Sequence, residues 1–304
     1  MKFGKTAHPE QIDFTLPLDH RGTQPLLDFS RGKEPPIIHV GCAKWNRQDL
    51  RNFYPRGIKD ELSYYSAQFN TIELNATFYR IFPSTVFAGW KNKTPPNFVF
   101  YLKIPQVISH RKRLNDVQSY VEEFLANASY LDEKLGMVFL QMMENFSPHN
   151  PSSKTNLFQF IRNWPHQVPL AIELRQTDWF NDPDIADELY QMFEEHGVTN
   201  VITDTAGRRD LLHMRLTTPY AFVRYVGANH ESDYTRLDNW VDRISQWVDQ
   251  GIRRIAFFVH QNHELESPLL ASYFIKALNH RIKSNLVIPQ ISPISKEKTD
   301  ASKG

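Results

Sequence analysis

Residues 71–80, TIELNATFYR, place an acid and an amide on one side of a predicted strand. Ile72 and Leu74 alternate with Glu73 and Asn75, and this period of two is typical of a strand with one apolar and one polar face. Solvated lysines on the polar face would indicate an ordinary surface, whereas a carboxylate and an amide can move protons and orient a ligand. The pattern therefore predicts that this polar face points into a site.

Two further apolar runs end in charged residues. In LAIELR, Glu173 and Arg175 are two residues apart and share one strand face, and in VFYLKIP the run leads to Lys103. Two carboxylates from opposite parts of a fold can flank a bond as acid and base, or as acid and nucleophile, as they do in glycosidases. We take Glu73, Glu173 and Lys103 as the candidate catalytic residues. Lys103 could instead form a Schiff base, which would require a lowered pKa.

Polar residues that could hold a ligand end several other runs. An anionic group, either carboxylate or phosphate, would be gripped by charge-assisted hydrogen bonds from arginine and lysine. Because Ser267 and Pro268 open the last predicted helix beside Glu264 and Glu266, we expect such an anion nearer the arginines than that helix end. The candidate substrate-binding residues are Asn75, Gln141, Arg175, Asp204, Arg224 and His110.

These residues favour an enzyme that uses acid–base chemistry on a small polar substrate, either anionic or sugar-like. Two alternatives stay open: a non-catalytic metabolite-binding or sensor protein, and a metal-dependent nucleic-acid-processing enzyme. The same charges could also satisfy one another in a polar plug. The expected ligand is therefore a small anion or a polyol, and the sequence specifies no cofactor.

The sequence contains residue types that commonly bind metals, but their spacing does not indicate a particular metal site. His110, Glu173 and Asp204 could contribute ligands, and His260 and His263 form a His-x-x-His pair. His263 falls in the loop predicted after strand 254–261, so no helical face aligns the two rings. We name no metal ligand.

Eight strand-like runs position these residues, and most are followed by a helical pattern. Strict alternation predicts a parallel sheet, and eight repeats fit a closed (β/α)8 barrel, or TIM barrel, of about 250 residues. An open doubly wound sheet competes, but no GxGxxG motif follows a strand. In such a barrel the carboxyl ends of the strands meet at one mouth, where ligands bind. The predicted strands are 37–43, 71–78, 99–105, 135–142, 170–175, 199–205, 221–226 and 254–261.

The composition of the chain limits which kinds of partner and which domain organisation we expect. With 35 basic and 34 acidic residues, the formal charge of +1 gives no bulk reason to expect nucleic acid or a membrane surface as partner. The chain has no apolar run long enough to span a membrane and no secretory signal, and its one cysteine, Cys42, suits a reducing cytoplasm. We expect an N-terminal arm at 1–36, the barrel at 37–288 and a disordered tail at 289–304. The oligomeric state is not specified.

Taken together, the motifs resemble the YecE-like family, a bacterial family of unknown function. The likeness covers residues 37–283 and implies a TIM-barrel fold without an established activity. The chain departs from the usual pattern at Cys42 and Lys44, at Tyr225-Val226 and at His260-Gln261-Asn262. The motifs that carry the resemblance are VGCAKW, FYP, FNTIELNATFYR, TPPNFVFYLKIP, SHRKRL, LGMVFLQM, AIELRQTDWF and FVRYVG.

Overall fold

Eight parallel strands form a nearly closed barrel in the computed structural model, which describes residues 4–32, 34–50 and 52–291. The predicted (β/α)8 fold is confirmed. The strands are β1 (Ile37–Cys42), β2 (Thr71–Leu74), β3 (Val99–Lys103), β4 (Leu135–Gln141), β5 (Leu170–Glu173), β6 (Thr199–Thr205), β7 (Tyr220–Gly227) and β8 (Arg254–Gln261).

Helices surround the strands and cover their outer apolar faces. The helical pattern after β6 is weak in the sequence, and a 3₁₀ turn, Ala206–Leu211, occupies that place. The short helix after β5 has no counterpart in the sequence pattern. The helices are α1 (Thr23–Ser30), α2 (Glu61–Gln68), α3 (Ser84–Lys93), α4 (Gln118–Ala128), α5 (Pro151–Arg162), α6 (Asp178–Asn181), α7 (Pro183–Glu195), α8 (Ser232–Gln250) and α9 (Ser267–Ile282).

Strand β2 is shorter than predicted because the chain turns immediately after Leu74. The next four residues, Asn75–Phe78, form a 3₁₀ turn. The Thr77 hydroxyl lies 2.7 Å from the carbonyl oxygen of Lys103 and donates to it, which ties the turn to β3. Asn75 therefore lies just above the strand end, and Phe78 is brought beside Lys103.

Side chains close the barrel between β1 and β2, where the described residues show no backbone ladder. The Asn70 amide accepts from the Val40 N–H (3.0 Å) and donates to the Ile38 carbonyl (2.8 Å). The two backbones approach closely at Gly41, where a Cβ would lie 2.2 Å from the Thr71 carbonyl oxygen. Only glycine fits such an approach, so the amide and the glycine together replace a regular strand pair.

The barrel interior is stacked in two layers. The lower layer is apolar and aromatic, and it is separate from the larger core between strands and helices. Because side chains on one strand face repeat every two residues, the next inward positions form the layer above. The apolar layer consists of Tyr101, Met137, Phe139, Ala171, Val201, Phe222, Ala256 and Phe258.

The N-terminal arm crosses the β6–β7 side of the barrel mouth. A Cβ at Gly4 would lie 2.2 Å from the Thr205 hydroxyl and 3.4 Å from a Val226 methyl group, so the arm passes directly over these strand ends. Farther along, the Asp19 carboxylate accepts from Arg243 (2.6 Å) and Trp247 (2.9 Å). The predicted disordered tail lies outside the described residues from position 292 onward.

Candidate functional site

The upper interior layer is polar and charged, and it sits at the carboxyl ends of the strands. Five strands reach it by one step of the two-residue period from the apolar layer, as Tyr101 is followed by Lys103 and Phe222 by Arg224, and β2 adds Glu73. Its side chains are all buried. This charged layer consists of Glu73, Lys103, Gln141, Glu173, Arg175, Arg224 and His260.

Arg224 is the centre of the charged layer. Its Nε and Nη2 each donate to Glu73, at 2.8 Å to Oε2 and 2.8 Å to Oε1. Its Nη1 donates to Glu173 Oε2 at 2.5 Å and to Gln141 Oε1 at 3.2 Å. A planar guanidinium matches two carboxylates in this way. Both candidate catalytic glutamates are therefore joined to one arginine.

Arg175 extends the layer toward solvent from the end of β5. Its Nε donates to Glu173 Oε1 at 2.5 Å, and its Nη2 donates to Gln141 Oε1 at 3.0 Å. On the opposite side, Glu73 accepts from the Asn75 amide (2.8 Å) and lies 3.1 Å from His260 Nε2. Each glutamate therefore has at least two polar partners.

Lys103 has different surroundings from the two arginines. Its Nζ donates to Gln141 Oε1 at 3.0 Å and lies 4.3 Å from the centre of the Phe78 ring. Among the described residues, no carboxylate forms an ion pair with it, although Glu173 and Glu73 are near enough to influence its charge. The two glutamates balance the two arginines among the described residues, so a protonated Lys103 would add a positive charge to this group.

The electrostatics follow from this pairing. Burial alone would raise the pKa of Glu73, but Arg224 and His260 hold that pKa well below its usual range. Burial opposes ionisation of Glu173 too, yet Arg175 and Arg224 bring its pKa down to about 2. For Lys103, burial and the neighbouring Arg224 both act against the charged form and lower the pKa to about 7. Near neutral pH both glutamates are ionised, while Lys103 can take up and release a proton.

A pocket of about 310 Å³ opens above β4 and β5, next to the charged layer. Gln141 and Arg175 form part of its floor, and Glu144 and Asn145 stand exposed at its rim. His110 lines it from the loop after β3, and its ring lies 4.8 Å from that of Phe78. Burial and the nearby Lys103 lower the pKa of His110 to about 4, so its ring is neutral near pH 7.

The prediction that Asp204 lies at the mouth with the other candidates is wrong. Its carboxylate accepts from Arg236 (2.8 Å) and Trp240 (2.7 Å) on α8, so it faces the helix layer. Because Val201 belongs to the interior layer, the inward positions of β6 are the odd ones, and Thr203 and Thr205 take them. Within the described chain, the buried hydroxyls of these two threonines have no hydrogen-bond partner.

The other candidates converge as predicted in position. Glu73, Asn75, Lys103, Gln141, Glu173, Arg175 and Arg224 share one connected network, and His110 lines the adjacent pocket. Sequence reasoning missed His260 as a site residue. The signal was available, since His260 lies two positions after the apolar Phe258 near the end of a predicted strand. The roles of all these candidate residues in binding or catalysis remain predictions.

Over the described ranges, no cluster of three or more histidine, cysteine or acidic residues is arranged to hold a metal ion. In the same ranges, no helix has the length and apolar character needed to cross a membrane.

Comparison with known proteins identifies the family. Residues 39–293 match the family described as "Protein of unknown function DUF72". The chain is 25% identical to the UPF0759 protein YecE of Escherichia coli K12 over 233 residues, which are 69% of this chain and 82% of that protein. It is 30% identical to the UPF0759 protein YunF of Bacillus subtilis 168 over 158 residues, 48% of this chain and 54% of that protein.

A solved structure shows the same fold. The crystal structure of a DUF72 family protein from Enterococcus faecalis V583 superposes with a TM-score of 0.63 at 18% identity, covering 80% of this chain and 98% of that chain. The match spans nearly the whole of that protein, in agreement with the barrel described above. The chain belongs to the DUF72 family, to which the YecE-like resemblance of its motifs also points.

Proposed function

We propose that this protein is an enzyme that performs acid–base chemistry on a small anionic substrate at the carboxyl-terminal mouth of its barrel. One observation carries the proposal: Lys103 is buried in a charged layer whose other ionised groups already balance, and no described carboxylate pairs with it. A buried ammonium group without a counter-charge is costly, so such a lysine either loses its proton or meets an anion. A lysine that releases its proton and a lysine that attracts an anion are both useful in a proton-transfer site.

The charged layer assigns different parts to the three candidate catalytic residues. Lys103, with a pKa of about 7, is the proton-transferring group, since an acid–base catalyst works best when its pKa is near the working pH. Glu73 and Glu173 hold their charges and fix Arg224. Their low pKa values suit them to positioning and charge stabilisation in place of proton donation.

Substrate binding falls to the groups that reach the pocket. Arg175 and Gln141 present a guanidinium and an amide there, and the neutral ring of His110 also lines the pocket. A carboxylate or phosphate on Arg175 would supply the negative charge that the layer lacks when Lys103 is protonated. The pocket volume of about 310 Å³ lies at the small end of ligand sites.

Hydrogen–deuterium exchange tests the proposal even when the product of the reaction is not identified. The protein is incubated in D₂O with a panel of small carboxylates, phosphates and sugar acids, and loss of carbon-bound protons is followed by proton NMR. We expect exchange or turnover of at least one anionic compound, abolished in Lys103→Met and retained in Lys134→Met. Lys134 is another lysine with little exposed surface, and it donates to the Lys91 and Thr94 carbonyls, away from the mouth.

The same panel separates the enzyme from a non-catalytic metabolite-binding barrel. The extensive internal pairing of both glutamates is the observation that favours this second candidate, since a fixed polar layer can bind without reacting. A compound that stabilises the protein against heating but shows neither exchange nor turnover would support binding alone. A panel without a single stabilising, exchanging or converted anion would contradict both.

A further inference from the structure

We propose that Lys103 forms a covalent imine with the carbonyl carbon of a small 2-oxo acid whose carboxylate is held by Arg175. This inference rests on the proposed function and deepens it, because it names the substrate class and the bond that forms. It concerns the nucleophilicity of the lysine, which proton transfer alone does not require.

The sharing of one oxygen favours the neutral amine. Gln141 Oε1 accepts from Lys103 Nζ at 3.0 Å, from Arg175 Nη2 at 3.0 Å and from Arg224 Nη1 at 3.2 Å. Two of these donors are guanidinium groups that stay charged. A third cation on the same neutral oxygen would be repelled by both, so the arrangement favours a lysine with a free lone pair. The lowered pKa of Lys103, about 7, agrees with this geometry.

The same oxygen sets an upper limit on the distance between Lys103 Nζ, the nucleophile, and the Arg175 guanidinium, which binds the anion. Lys103 Nζ and Arg175 Nη2 each lie 3.0 Å from Gln141 Oε1, so the two nitrogens are within about 6 Å of each other. An anionic group on Arg175 and an electrophilic carbon at Lys103 must then be close neighbours in one small molecule. A 2-oxo acid has this form, since its carboxylate and its carbonyl are on adjacent carbons.

The surroundings of the amine suit a covalent intermediate. The Phe78 ring lies 4.3 Å from Nζ, and aromatic faces stabilise a nearby cation such as a protonated imine. The carboxylate of the bound 2-oxo acid supplies the negative charge that balances this iminium. Lys103 lies behind the pocket lining and meets it through Gln141, and Glu144 and Asn145 are exposed at the pocket rim.

The reaction balances without an added oxidant or reductant. The lone pair of Lys103 attacks the carbonyl carbon, a C–N bond forms, and the π electrons of the carbonyl move to oxygen. A proton passes from nitrogen to that oxygen and gives a carbinolamine. A proton from solvent adds to the hydroxyl, the C–O bond breaks and one water leaves, while the nitrogen lone pair completes the C=N bond of an iminium ion. Loss of the N–H proton to solvent gives the neutral imine and returns the proton that was used. Amine and ketone thus give imine and water.

Reductive trapping tests the inference on the full-length protein. Wild type is treated with sodium borohydride in the presence of pyruvate, glyoxylate or acetone, or with borohydride alone, and the modified lysine is located by peptide mass mapping. Acetone is the matched control for pyruvate because it has the ketone without the carboxylate. We expect a stable adduct on Lys103 with at least one of the two acids, and at least tenfold less with acetone.

Two lysines and two variants complete the design. Lys134, which is buried but saturated by carbonyl groups, and Lys112, which is part-exposed on the loop after β3, should stay unmodified. Lys103→Met should remove the label, and Arg175→Gln should reduce labelling by pyruvate to the level seen with acetone. Because the adduct is mapped on wild type, the result does not depend on the folding of a variant.

Each outcome of the trapping experiment supports or contradicts the imine on Lys103. Failure of both acids to label Lys103, or equal labelling of Lys103, Lys112 and Lys134, would overturn the imine. If Lys103 stays unlabelled while proton exchange of an anionic compound persists and is lost in Lys103→Met, the imine is wrong and the acid–base function stands. If neither labelling nor exchange is found, both proposals fail.

Discussion

Arg224 on β7 holds Glu73 on β2 across the inside of the barrel, through two hydrogen bonds of 2.8 Å each. Around the barrel, which closes between β1 and β2, these two strands are separated by β8 and β1. The pair therefore braces two walls of the barrel that are not adjacent. The same guanidinium reaches Glu173 on β5, so three strands depend on one side chain.

Replacing Arg224 with glutamine should cost about 3–5 kcal/mol of unfolding free energy, because it leaves two buried carboxylates without their shared cation. Urea unfolding measures this loss. The control is Arg281→Gln, which removes an exposed pair with Asp242 and should cost less than about 1 kcal/mol. Equal, small losses in both variants would mean that the brace contributes little.

The low pKa of Glu173 predicts that the free energy of unfolding falls in acid. Its folded-state pKa is about 2 against an ordinary value of 4.5, so its ion pairs stabilise the protein above pH 4.5 and are lost as the pH falls toward 2. The stability gap between wild type and Glu173→Gln should narrow over this interval in urea titrations. The matched control is Glu195→Gln, which changes an exposed glutamate at the end of α7. A gap that stays constant from pH 6 to pH 2 would contradict the assignment.

Lys103 gives the same sign of pH dependence in the alkaline range, because its folded-state pKa is also lowered. Its pKa is about 7 when folded and 10.5 when free, so between these values the unfolded chain binds a proton that the folded protein does not. Stability attributable to this group therefore rises with pH from 7 to 10.5, by an amount on the order of 3–5 kcal/mol. Wild type should gain stability relative to Lys103→Met over this range. Parallel pH profiles of the two proteins would show that the lysine titrates normally.

Much of the charged layer could be predicted from alternation alone. Glu173 and Arg175 share a face because they are two apart, and Lys103 follows Tyr101 on the interior face in the same way. Alternation failed on β6, where TNVITDT has polar residues on both faces and so leaves the inward parity undecided. The partners of Asp204, Arg236 and Trp240, lie more than 30 positions later in the sequence and only folding brings them near. The sequence also does not show that Lys103 has no ion-pair partner, because this depends on which carboxylates pair with Arg175 and Arg224 in the folded protein.

Asp204→Asn should separate structural from ligand-binding roles. Its carboxylate is buried against Arg236 and Trp240 of α8 and also pairs with Arg209, so neutralising it should destabilise the protein by about 3–5 kcal/mol. Because the side chain faces away from the pocket, the affinity for any anion that binds wild type should change less than twofold. Isothermal titration at a temperature where both proteins are folded makes the comparison. A tenfold loss of affinity with unchanged stability would return Asp204 to the binding site.

Arg175 should set the affinity for anions at the pocket. It lines the pocket floor beside Gln141, and its guanidinium can form two charge-assisted hydrogen bonds with a carboxylate or phosphate. We expect phosphate and pyruvate to raise the midpoint of thermal unfolding in wild type and to have at least a tenfold weaker effect in Arg175→Gln. Arg21→Gln, on the exposed arm and 3.5 Å from Asp187, is the matched surface control and should respond as wild type does. Arg175→Gln loses an ion pair to Glu173, so each midpoint is compared with that of the same variant without anion. An equal anion-dependent shift in all three proteins would place the anion site elsewhere.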